Sequence, residues 1–532
     1  MFNRLIALYF VFFFPSFVFQ GRNVRFGDYL RKQNRKKQCY IVKNTKNNDK
    51  RIVFSKQTHF YKRGFMVFQE YSKENLLKVA PLIAKSDMLC NDVSVGSFLL
   101  WHKGVDLAFA VENETLIVRQ DIAGEPAFSY PVGKDEEGAL LALAKYTEEN
   151  DLPLMIYGAD ETRVETLRRV MPYPVRFAYE RKWSDYLYRY EDIHDFAGKK
   201  YAGQRNHIHK FNALFPNAVF RKIERDDLPA VRDFLKEYGG EHGDGGQEEK
   251  SELLQTEDLL DCLFDYPFET GLLLVNGNIA AITIGEIVGR MLVIHTEKAL
   301  RKYEGAYPAI FHLFVCSLEN RDLEFVNRED DSDDPGLRTS KTQYHPVRMV
   351  NKYLVKVNSP VCRLTEIQTI KGERISLRKM TEKDKPDYLA LSLDDDNNRF
   401  WGYDYREDES ITGQIDENTF YDRQAFDYTV GDAVNFAIDQ GGKMIGETIV
   451  YRFTMGGTAE IGCRVAAAYH GEGIGDEAFG LTKKFAEDIL GVRPVARCYK
   501  QNLPSEKMIV KSGMKKTGED DTFFYFSVPS KE

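Results

Sequence analysis

Hydrophobic and polar positions follow regular patterns from Glu70 onwards, and the patterns alternate between a helical and a strand period. The predicted helices cover residues 72–83, 136–150 and 161–170, and the predicted strands cover 107–111, 115–119 and 154–157. Helices and strands that follow one another in this way are typical of α/β domains.

A second patterned region begins with a short strand near Arg374. It is followed by Thr381, a residue type that caps helices, and by a predicted helix over about 383–392. Three strands come next, over 434–439, 443–453 and 459–465. This region therefore predicts a further α/β domain near the carboxyl-terminal end of the sequence.

The last of these strands runs into a turn with glycine at alternate positions, Gly471, Gly473 and Gly475, and a helix follows at once. Glycine accepts positive φ angles, and the N-terminus of a helix carries partial positive charge. Such a turn suits a pyrophosphate group, although an ordinary tight turn or a Rossmann unit also supplies this pattern.

The turn and its surroundings resemble the GNAT N-acetyltransferase superfamily. The loop HGEGIG at residues 470–475 is similar to the acyl-CoA pyrophosphate loop of that superfamily, with His470 where the pattern usually has Gln or Arg. A second match is the late Asn-x-x-Ser segment, formed by Asn502 and Ser505. The resemblance covers roughly residues 370–528 and is nearest to the branch that acetylates ribosomal-protein N-termini and related amines.

This resemblance implies acetyl-CoA as the cofactor and an amine as the acceptor, either a protein N-terminus, an amino acid derivative or an amino sugar. Backbone N–H groups near residues 463–465 are expected to meet the pantetheine arm and the carbonyl group. The residues implied at the cofactor are Cys463, Arg464, Val465, His470, Gly471, Gly473, Ile474, Gly475, Asn502 and Ser505.

Acetyl transfer to an amine needs a base for the ammonium proton and an acid for the leaving thiolate. Glu460 is the first candidate for the base, acting through a water, and Glu447 on the preceding strand is its rival; each can instead be an outward strand carboxylate. Tyr525 is a candidate acid or a packing residue of the final strand. Cys463 is not expected to act as a covalent nucleophile, because no base is tied to it by sequence and the family transfers directly.

The stretch FWGYDYREDE at residues 400–409 combines aromatic and acidic side chains. It lies where the superfamily often builds its acceptor side. Trp401 and Tyr403 are therefore predicted to contact the acceptor.

Three blocks earlier in the chain, KKYAGQRNHIHKF from residue 199, IHTEKALRKYEGAYPAI from 294 and FVNREDDSDDPGLRTSKTQYHPV from 325, resemble the C-terminal portion of phosphatidylglycerol lysyltransferases. The resemblance covers roughly residues 67–358. The residues it implies at a substrate are Lys200, Arg205, Asn327, Arg328, Glu329, Arg338 and Lys341. The basic run can also be the solvated face of a helix, and the acidic run a solvated loop.

Relatives of this second family contain two GNAT-like lobes in tandem. The resulting prediction is an α/β protein of three GNAT-like lobes, over residues 66–190, 191–360 and 365–532, each a mixed, mostly antiparallel sheet flanked by helices. The lysyltransferases transfer an aminoacyl group from tRNA to a lipid head group. Such transfer by the first two lobes, with tRNA as partner, and a ligand-sensing role without catalysis are both open alternatives.

Composition narrows the class of protein. A chain of 532 residues predicts about three domains. Seven scattered cysteines without a CxxC pair favour reduced thiols in the cytoplasm over disulfides or zinc, and no metal site is predicted.

The net charge is -8, although residues 1–65 hold 15 Lys and Arg against Asp28 and Asp49. The acidic remainder disfavours a broad nucleic-acid surface and leaves a local basic groove open.

Residues 1–65 form a hydrophobic and basic leader that contains an apolar stretch over 5–19. It fits a membrane anchor, a secretory signal, or an extension upstream of the true start at Met66, and we favour the last because regular patterns begin there. A cytoplasmic protein without a stable membrane partner is then expected. Retention of the leader would predict a membrane anchor.

Overall fold

The computed structural model describes residues 66–101, 106–122, 125–241, 247–319, 321–401, 405–407 and 415–529. In these residues the strands form three sheets, each with one parallel pair and otherwise antiparallel pairs, and helices flank them. The predicted fold class, three mixed α/β lobes, is confirmed. The predicted leader, residues 1–65, lies outside the described residues.

The first region begins its helices where the sequence offers caps, because Ser72, Asp135 and Asp160 each accept a backbone N–H group of the helix that follows. The helices are α1 (Lys73–Ile83), α2 (Val95–Trp101), α3 (Glu136–Glu149) and α4 (Glu161–Val170). The strands are β1 (Gln69–Glu70), β2 (Asp106–Glu112), β3 (Thr115–Ile122), β4 (Glu125–Ser129), β5 (Val132–Gly133), β6 (Met155–Ala159) and β7 (Val175–Ala178).

The second region contains the longest strands of the first two lobes. Its strands are β8 (Asp185–Arg189), β9 (Val219–Arg221), β10 (Glu269–Val275), β11 (Asn278–Val288), β12 (Met291–Ala299), β13 (Phe325–Asn327), β14 (Arg348–Val350) and β15 (Tyr353–Val357). Its helices are α5 (Tyr190–Asp195), α6 (Ala202–Leu214), α7 (Leu228–Glu241), α8 (Gln247–Asp261), α9 (Ala306–Cys316) and α10 (Pro335–Thr342).

The third region follows the predicted order, and Thr381 forms a capping box with Asp384 at its first helical turn. The strands are β16 (Ile370–Lys371), β17 (Ser376–Lys379), β18 (Ala433–Gln440), β19 (Lys443–Tyr451), β20 (Thr458–Val465), β21 (Arg493–Tyr499), β22 (Lys515–Glu519) and β23 (Phe523–Ser527). The helices are α11 (Lys385–Leu393), α12 (Asp395–Asn398), α13 (Glu417–Val430), α14 (Ile474–Phe485) and α15 (Leu503–Lys511).

The first two lobes exchange strands. β15 lies between β6 and β7 in the first sheet, and β8 lies between β13 and β14 in the second sheet. The sheets therefore divide the chain differently from the predicted boundaries at residues 190 and 360. Boundaries drawn in sequence order assume that strands adjacent in sequence belong to the same sheet. This chain instead passes from the first lobe to the second after β7 and returns to the first lobe with β15.

The third lobe packs against the first. Lys356 on β15 and Asp432 after α13 form a buried ion pair, with 2.6 Å between Nζ and Oδ1. Arg176 on β7 donates to the carbonyl oxygen of Thr429 at 3.1 Å. Val430 and Met455 of the third lobe belong to the same buried hydrophobic cluster as the core of the first lobe. The three lobes are thus joined through packed, polar and apolar contacts.

We expect Lys356→Met to lower the free energy of unfolding by about 3–5 kcal/mol, because the buried Asp432 carboxylate would lose its partner. Urea denaturation followed by tryptophan fluorescence measures this loss. The double variant with Asp432→Leu should recover most of the stability, since it leaves no buried charge. A double variant as unstable as the single one would contradict this explanation.

In the described part of the chain, none of the helices combines the length and the hydrophobicity that a transmembrane span requires.

Candidate active site

A cleft of about 800 Å³ opens in the third lobe where β20 and β21 separate. These parallel strands pair only at residues 458–460 and 493–495, and in the described structure their continuations to Val465 and Tyr499 do not pair with each other. The other edge of β20 is paired with β19. The separated edges therefore offer backbone N–H and C=O groups to a ligand.

The glycine turn closes one end of this cleft. Gly471 and Gly473 have φ angles of 81° and 75°, which L side chains rarely adopt. Gly473 is the N-cap of α14, and in the described residues this end has no side-chain cap hydrogen bond. The first N–H groups of the helix have no intrahelical partner, and Gly473, Ile474 and Gly475 line the cleft. The turn is consequently suited to an anionic group.

Arg374 supports the turn from outside. Its guanidinium donates to the carbonyl oxygens of Glu472 and Gly473, the latter at 2.9 Å, and its Nε donates to Glu477 at 3.0 Å. Glu477 also accepts the backbone N–H groups of Glu373 and Arg374. These hydrogen bonds from Arg374 and to Glu477 hold the backbone of the turn in place.

His470 and Cys463, two of the predicted cofactor residues, line the cleft, and both make contacts within the protein. The Nε2 atom of His470 lies 2.8 Å from the carbonyl oxygen of Val465, which ties the turn to the end of β20. Burial, followed by the charge of Glu447, raises the pKa of the Cys463 thiol to about 12. The thiol is therefore protonated at neutral pH and is a poor nucleophile.

The start of α15 contributes the predicted Asn-x-x-Ser segment to the cleft lining. Asn502 caps α15 by accepting the N–H group of Ser505 at 3.2 Å. Both residues line the cleft, together with the exposed Lys507, which was not predicted from the sequence. Lys507 brings a positive charge to the cleft lining.

Glu460 lies in the cleft and is only 4% exposed. The Tyr451 hydroxyl donates to its Oε1 at 2.7 Å, the Nε atom of Arg497 lies 3.0 Å from Oε1, and Arg452 lies 3.5 Å from Oε2. Burial, followed by the Glu460 charge, raises the pKa of Tyr451 well above its usual range. Tyr451 therefore remains a donor that fixes the orientation of the carboxylate.

Glu447, the predicted alternative base, is not among the residues that line the cleft. Its buried carboxylate accepts hydrogen bonds from Tyr388 at 2.9 Å and Asn435 at 2.7 Å, and from the Nε of Arg464 at 2.9 Å. Both oxygens are thus engaged by neighbouring side chains. Glu447 serves as an anchor for Arg464.

Arg464, a predicted cofactor residue, and Trp401, a predicted acceptor residue, both line the cleft and pack together. The guanidinium of Arg464 lies 4.6 Å from the centre of the Trp401 ring and donates to Asn398 at 2.7 Å. A Cβ atom at Gly462 would come within 3.3 Å of the Trp401 ring, so the ring covers the middle of β20. Tyr403, the other predicted acceptor residue, lies outside the described residues.

Tyr525, the predicted acid for the leaving thiolate, is not among the residues that line the cleft. It pairs with Arg497 across β21 and β23, and its hydroxyl donates to Asp520 at 2.6 Å. Burial, followed by this hydrogen bond, raises the pKa of Tyr525 to about 12. The hydroxyl proton is thus committed to a carboxylate outside the cleft.

An aromatic wall completes the cleft; Phe400 belongs to the aromatic and acidic stretch noted in the sequence, whereas Tyr499 and Phe523 were not predicted there. Ring centres lie 5.7 Å apart for Phe400 and Tyr499 and 4.6 Å apart for Tyr499 and Phe523, and Arg497 lies 5.1 Å from the Phe523 ring. Arg497 and Tyr499 occupy alternate positions of β21 and so share one face. This alternation along β21 was the sequence signal that could have identified Arg497 and Tyr499 as neighbours on one face of the sheet.

Three of the residues predicted to bind a substrate in the first two lobes are buried in contacts within the protein. Asn327 donates to Asp185 at 2.9 Å. Arg328 pairs with Glu297 at 2.9 Å, and Glu329 pairs with His295 at 2.9 Å. In this structure these side chains face the protein interior.

The other four lie closer to the surface or bind backbone carbonyls. Lys200 pairs with Asp192 at 3.1 Å, and Arg205 donates to the carbonyl oxygen of Gly198 at 2.8 Å. Arg338 pairs with the buried Asp331 at 3.1 Å, and the buried Lys341 donates to the carbonyl oxygen of Asp330. Arg338 and Lys341 therefore share the loop after β13, while Lys200 and Arg205 lie on another segment.

The second lobe repeats the strand arrangement of the third, but its gap is filled. β12 and β13 are parallel and pair only at residues 291–293 and 325–327. Beyond the paired residues, ion pairs of Arg328 with Glu297 and of His295 with Glu329 connect β12 to the segment that follows β13. Gly305 at the start of α9 is also covered, since a Cβ there would meet the carbonyl oxygen of His207 on α6 at 2.9 Å.

The buried His295 predicts a pH dependence of stability. Burial opposes its charge, but the carboxylate of Glu286, 3.8 Å from Nε2, and that of Glu329, hydrogen-bonded to Nδ1, raise the pKa of His295 to about 9. Its contribution is complete below the unfolded pKa near 6.5 and is lost as the pH rises through 9. We expect the free energy of unfolding to fall by on the order of 3 kcal/mol between pH 6.5 and 9.5.

Urea denaturation at several pH values measures how the free energy of unfolding depends on pH. The variant His295→Gln should remove most of this dependence. The control variant His209→Gln, at an exposed position, should leave it unchanged. An identical slope in the His295 variant would assign the pH dependence to other groups.

Comparison with known proteins supports two assignments. Residues 89–356, half of the chain, match the family model for the C-terminal region of phosphatidylglycerol lysyltransferase. Residues 374–515 match the model for the GNAT acetyltransferase domain. No curated protein matches the chain.

Solved structures resemble separate parts of the chain. A conserved protein of unknown function from Bacteroides thetaiotaomicron VPI-5482 is 25% identical, with a TM-score of 0.50 over 55% of this chain and 100% of that one. The C-terminal domain of a putative lysylphosphatidylglycerol synthetase from Agrobacterium fabrum is 14% identical, with a TM-score of 0.40 over 54% and 93%. A GNAT-family acetyltransferase from Bacillus anthracis is 23% identical, with a TM-score of 0.25 over 30% and 98%.

The family models agree with the order of the three lobes and with the cleft of the third. The chain therefore belongs to the phosphatidylglycerol lysyltransferase C-terminal family and carries, after that region, a GNAT acyltransferase domain.

Proposed function

We propose that the third lobe transfers an acetyl group from acetyl-CoA to an amine. The observation that carries this proposal is the cleft between β20 and β21, which leads directly into a glycine turn and an uncapped helix N-terminus. An open strand edge and an anion site in one cleft match a ligand with an amide-containing arm and a pyrophosphate. The GNAT domain match supports acyl transfer in general.

The residues present fit such a ligand. The N–H groups of residues 473–475 would hold the pyrophosphate, and the free edge of β20 near Cys463 would hold the pantetheine arm. Lys507 and Asn502 border the same space and would contact the rest of CoA. When bound, acetyl-CoA supplies an activated acetyl group as a thioester.

Glu460 would accept the proton of the acceptor ammonium, directly or through a water. Tyr451 and Arg497 hold its carboxylate at the cleft, so the base would be oriented before the acceptor arrives. The aromatic wall would bind the apolar part of the acceptor. A protein N-terminus, an amino acid derivative and an amino sugar all present the required primary amine.

We further propose that the protein works in the cytoplasm, where acetyl-CoA chemistry belongs. The six cysteines in the described residues are all free thiols, which suits a reducing compartment.

An acceptor screen with the full chain tests this function. Acetyl-CoA would be incubated with peptides that have free N-termini, amino acids, amino sugars and N-blocked peptides as controls, while released CoA thiol is measured. We expect thiol release that depends on a free amine and yields an N-acetylated product. Release that ignores the amine, or none with any amine, would contradict the proposal.

A second candidate function is aminoacyl transfer from tRNA by the first two lobes, which the family match over residues 89–356 favours. It requires tRNA binding that weakens steeply with salt, because phosphate contacts release counterions. Filter binding of charged tRNA at 50 and 200 mM salt tests it. Failure to bind at low salt would leave a ligand-sensing role for these lobes.

A further inference from the structure

The hairpin between β19 and β20 carries two residues of the proposed acetyl-transfer site and also reaches the first lobe. Tyr451 ends β19, and Glu460 lies near the start of β20. Between them, the Met455 N–H group donates to the carbonyl oxygen of Leu152 in the first lobe at 2.9 Å. Met455 is buried in the hydrophobic cluster shared with that lobe.

Asp151, directly before Leu152, binds the base of the hairpin tip. Its carboxylate accepts a hydrogen bond from the Thr454 hydroxyl and a longer one from Thr458 at 3.4 Å. The fit is close, because a Cβ atom at Gly456 would lie 2.2 Å from the Asp151 Oδ1 atom. One side chain of the first lobe thus joins the hairpin loop to the first residue of β20.

The two threonines also close the hairpin on themselves. The Thr454 N–H group donates to the carbonyl oxygen of Thr458 at 3.0 Å, and the Thr458 N–H group donates to the Thr454 hydroxyl oxygen at 3.0 Å. Thr458 pairs with Arg493 in the parallel ladder, at the point where β20 and β21 begin. The position of Thr458 therefore affects the point at which β20 and β21 separate and the placement of Glu460, which follows two residues later.

We infer that Asp151 is a positioning residue for the acetyl-transfer site, so that the first lobe sets the placement of Glu460 and Tyr451. This inference rests on the proposed function. It assigns to the lysyltransferase-like region a contribution to the third lobe that does not depend on a second reaction. A movement of the Asp151 loop would change the rate of transfer without changing the cofactor end of the cleft.

The test uses the full chain and the variant Asp151→Gly. Asp151 has a φ of 50°, a conformation that glycine adopts without strain, so this change removes the carboxylate and spares the backbone. Amide hydrogen exchange would be followed over residues 449–465, and transfer from acetyl-CoA would be followed with the amine that reacts fastest in the screen. We expect faster exchange over 452–460, about tenfold lower kcat and an unchanged Kd for acetyl-CoA.

Two further variants and one control separate positioning from general damage. Asp151→Asn keeps an acceptor oxygen and should restore most of the rate, whereas Thr454→Val should reproduce the loss and add little to Asp151→Gly. Glu148→Gln removes a nearby carboxylate that contacts Tyr173 of the first lobe, and it should leave both measurements unchanged.

Unchanged exchange, or faster exchange with unchanged kcat, would overturn the inference. A wild-type protein without transfer activity would refute the proposed function, and the exchange data would then decide alone whether Asp151 holds the hairpin.

Discussion

Gly475→Asp should weaken acetyl-CoA binding at least about 100-fold while the protein stays folded. Gly475 lines the cleft within the first turn of α14, and a Cβ there would meet only ordinary contacts, the nearest being Met508 at 3.4 Å. The new carboxylate would repel the pyrophosphate at the turn. It would also lie at a helix N-terminus, where an acidic side chain stabilises the helix, so the melting temperature should not fall.

Calorimetric titration of acetyl-CoA into both proteins measures this effect. Gly480→Asp is the matched control, because Gly480 lies in the same helix, has open space around it and is not in the cleft. Equal affinities for wild type and Gly475→Asp would remove the cofactor from this turn. Equal losses in both variants would indicate a general effect of charge on α14.

Glu460→Gln should lower kcat for acetyl transfer by about 100–1000-fold and leave the Kd for acetyl-CoA unchanged. Glutamine has nearly the same shape and can still accept the Tyr451 hydrogen bond, but it cannot take a proton from the acceptor. Steady-state kinetics with a saturating amine, together with calorimetry, separate the chemical step from cofactor binding.

Glu447→Gln provides the contrast. Because Glu447 anchors Arg464 behind the cleft, this change should lower the melting temperature and alter kcat much less than Glu460→Gln does. A large loss of kcat in the Glu447 variant with unchanged stability would reverse the assignment of the base.

The sequence was enough to predict a cofactor turn at residues 471–475, but it could not choose between the two glutamates. Glu447 and Glu460 both lie on strands beside the cleft, and only the neighbouring side chains distinguish them. Tyr388 and Asn435 engage Glu447 from elements distant in sequence. Arg374, which supports the turn, is likewise about a hundred residues earlier and carries no local signal.

The same limit applied to the first two lobes. Arg328 and Glu329 match the motif of the lysyltransferase family and carry charges, so the sequence predicts that they bind a ligand. In the structure their charges are paired with Glu297 and His295, which lie on a neighbouring strand. Strand order in sequence also gave no indication that β15 inserts between β6 and β7. Contacts between residues that are distant in sequence determine both the ion pairs of Arg328 and Glu329 and the position of β15.

The most direct test of the central claim is a transfer experiment with isotopically labelled acetyl-CoA, the full chain and the amine panel, analysed by mass spectrometry. The predicted result is one labelled acetyl group on the amine for each CoA released, and almost none with Glu460→Gln. Label that stays on acetyl-CoA with every amine, or equal transfer by the Glu460 variant, would contradict the assignment of the third lobe as an amine acetyltransferase with Glu460 as its base.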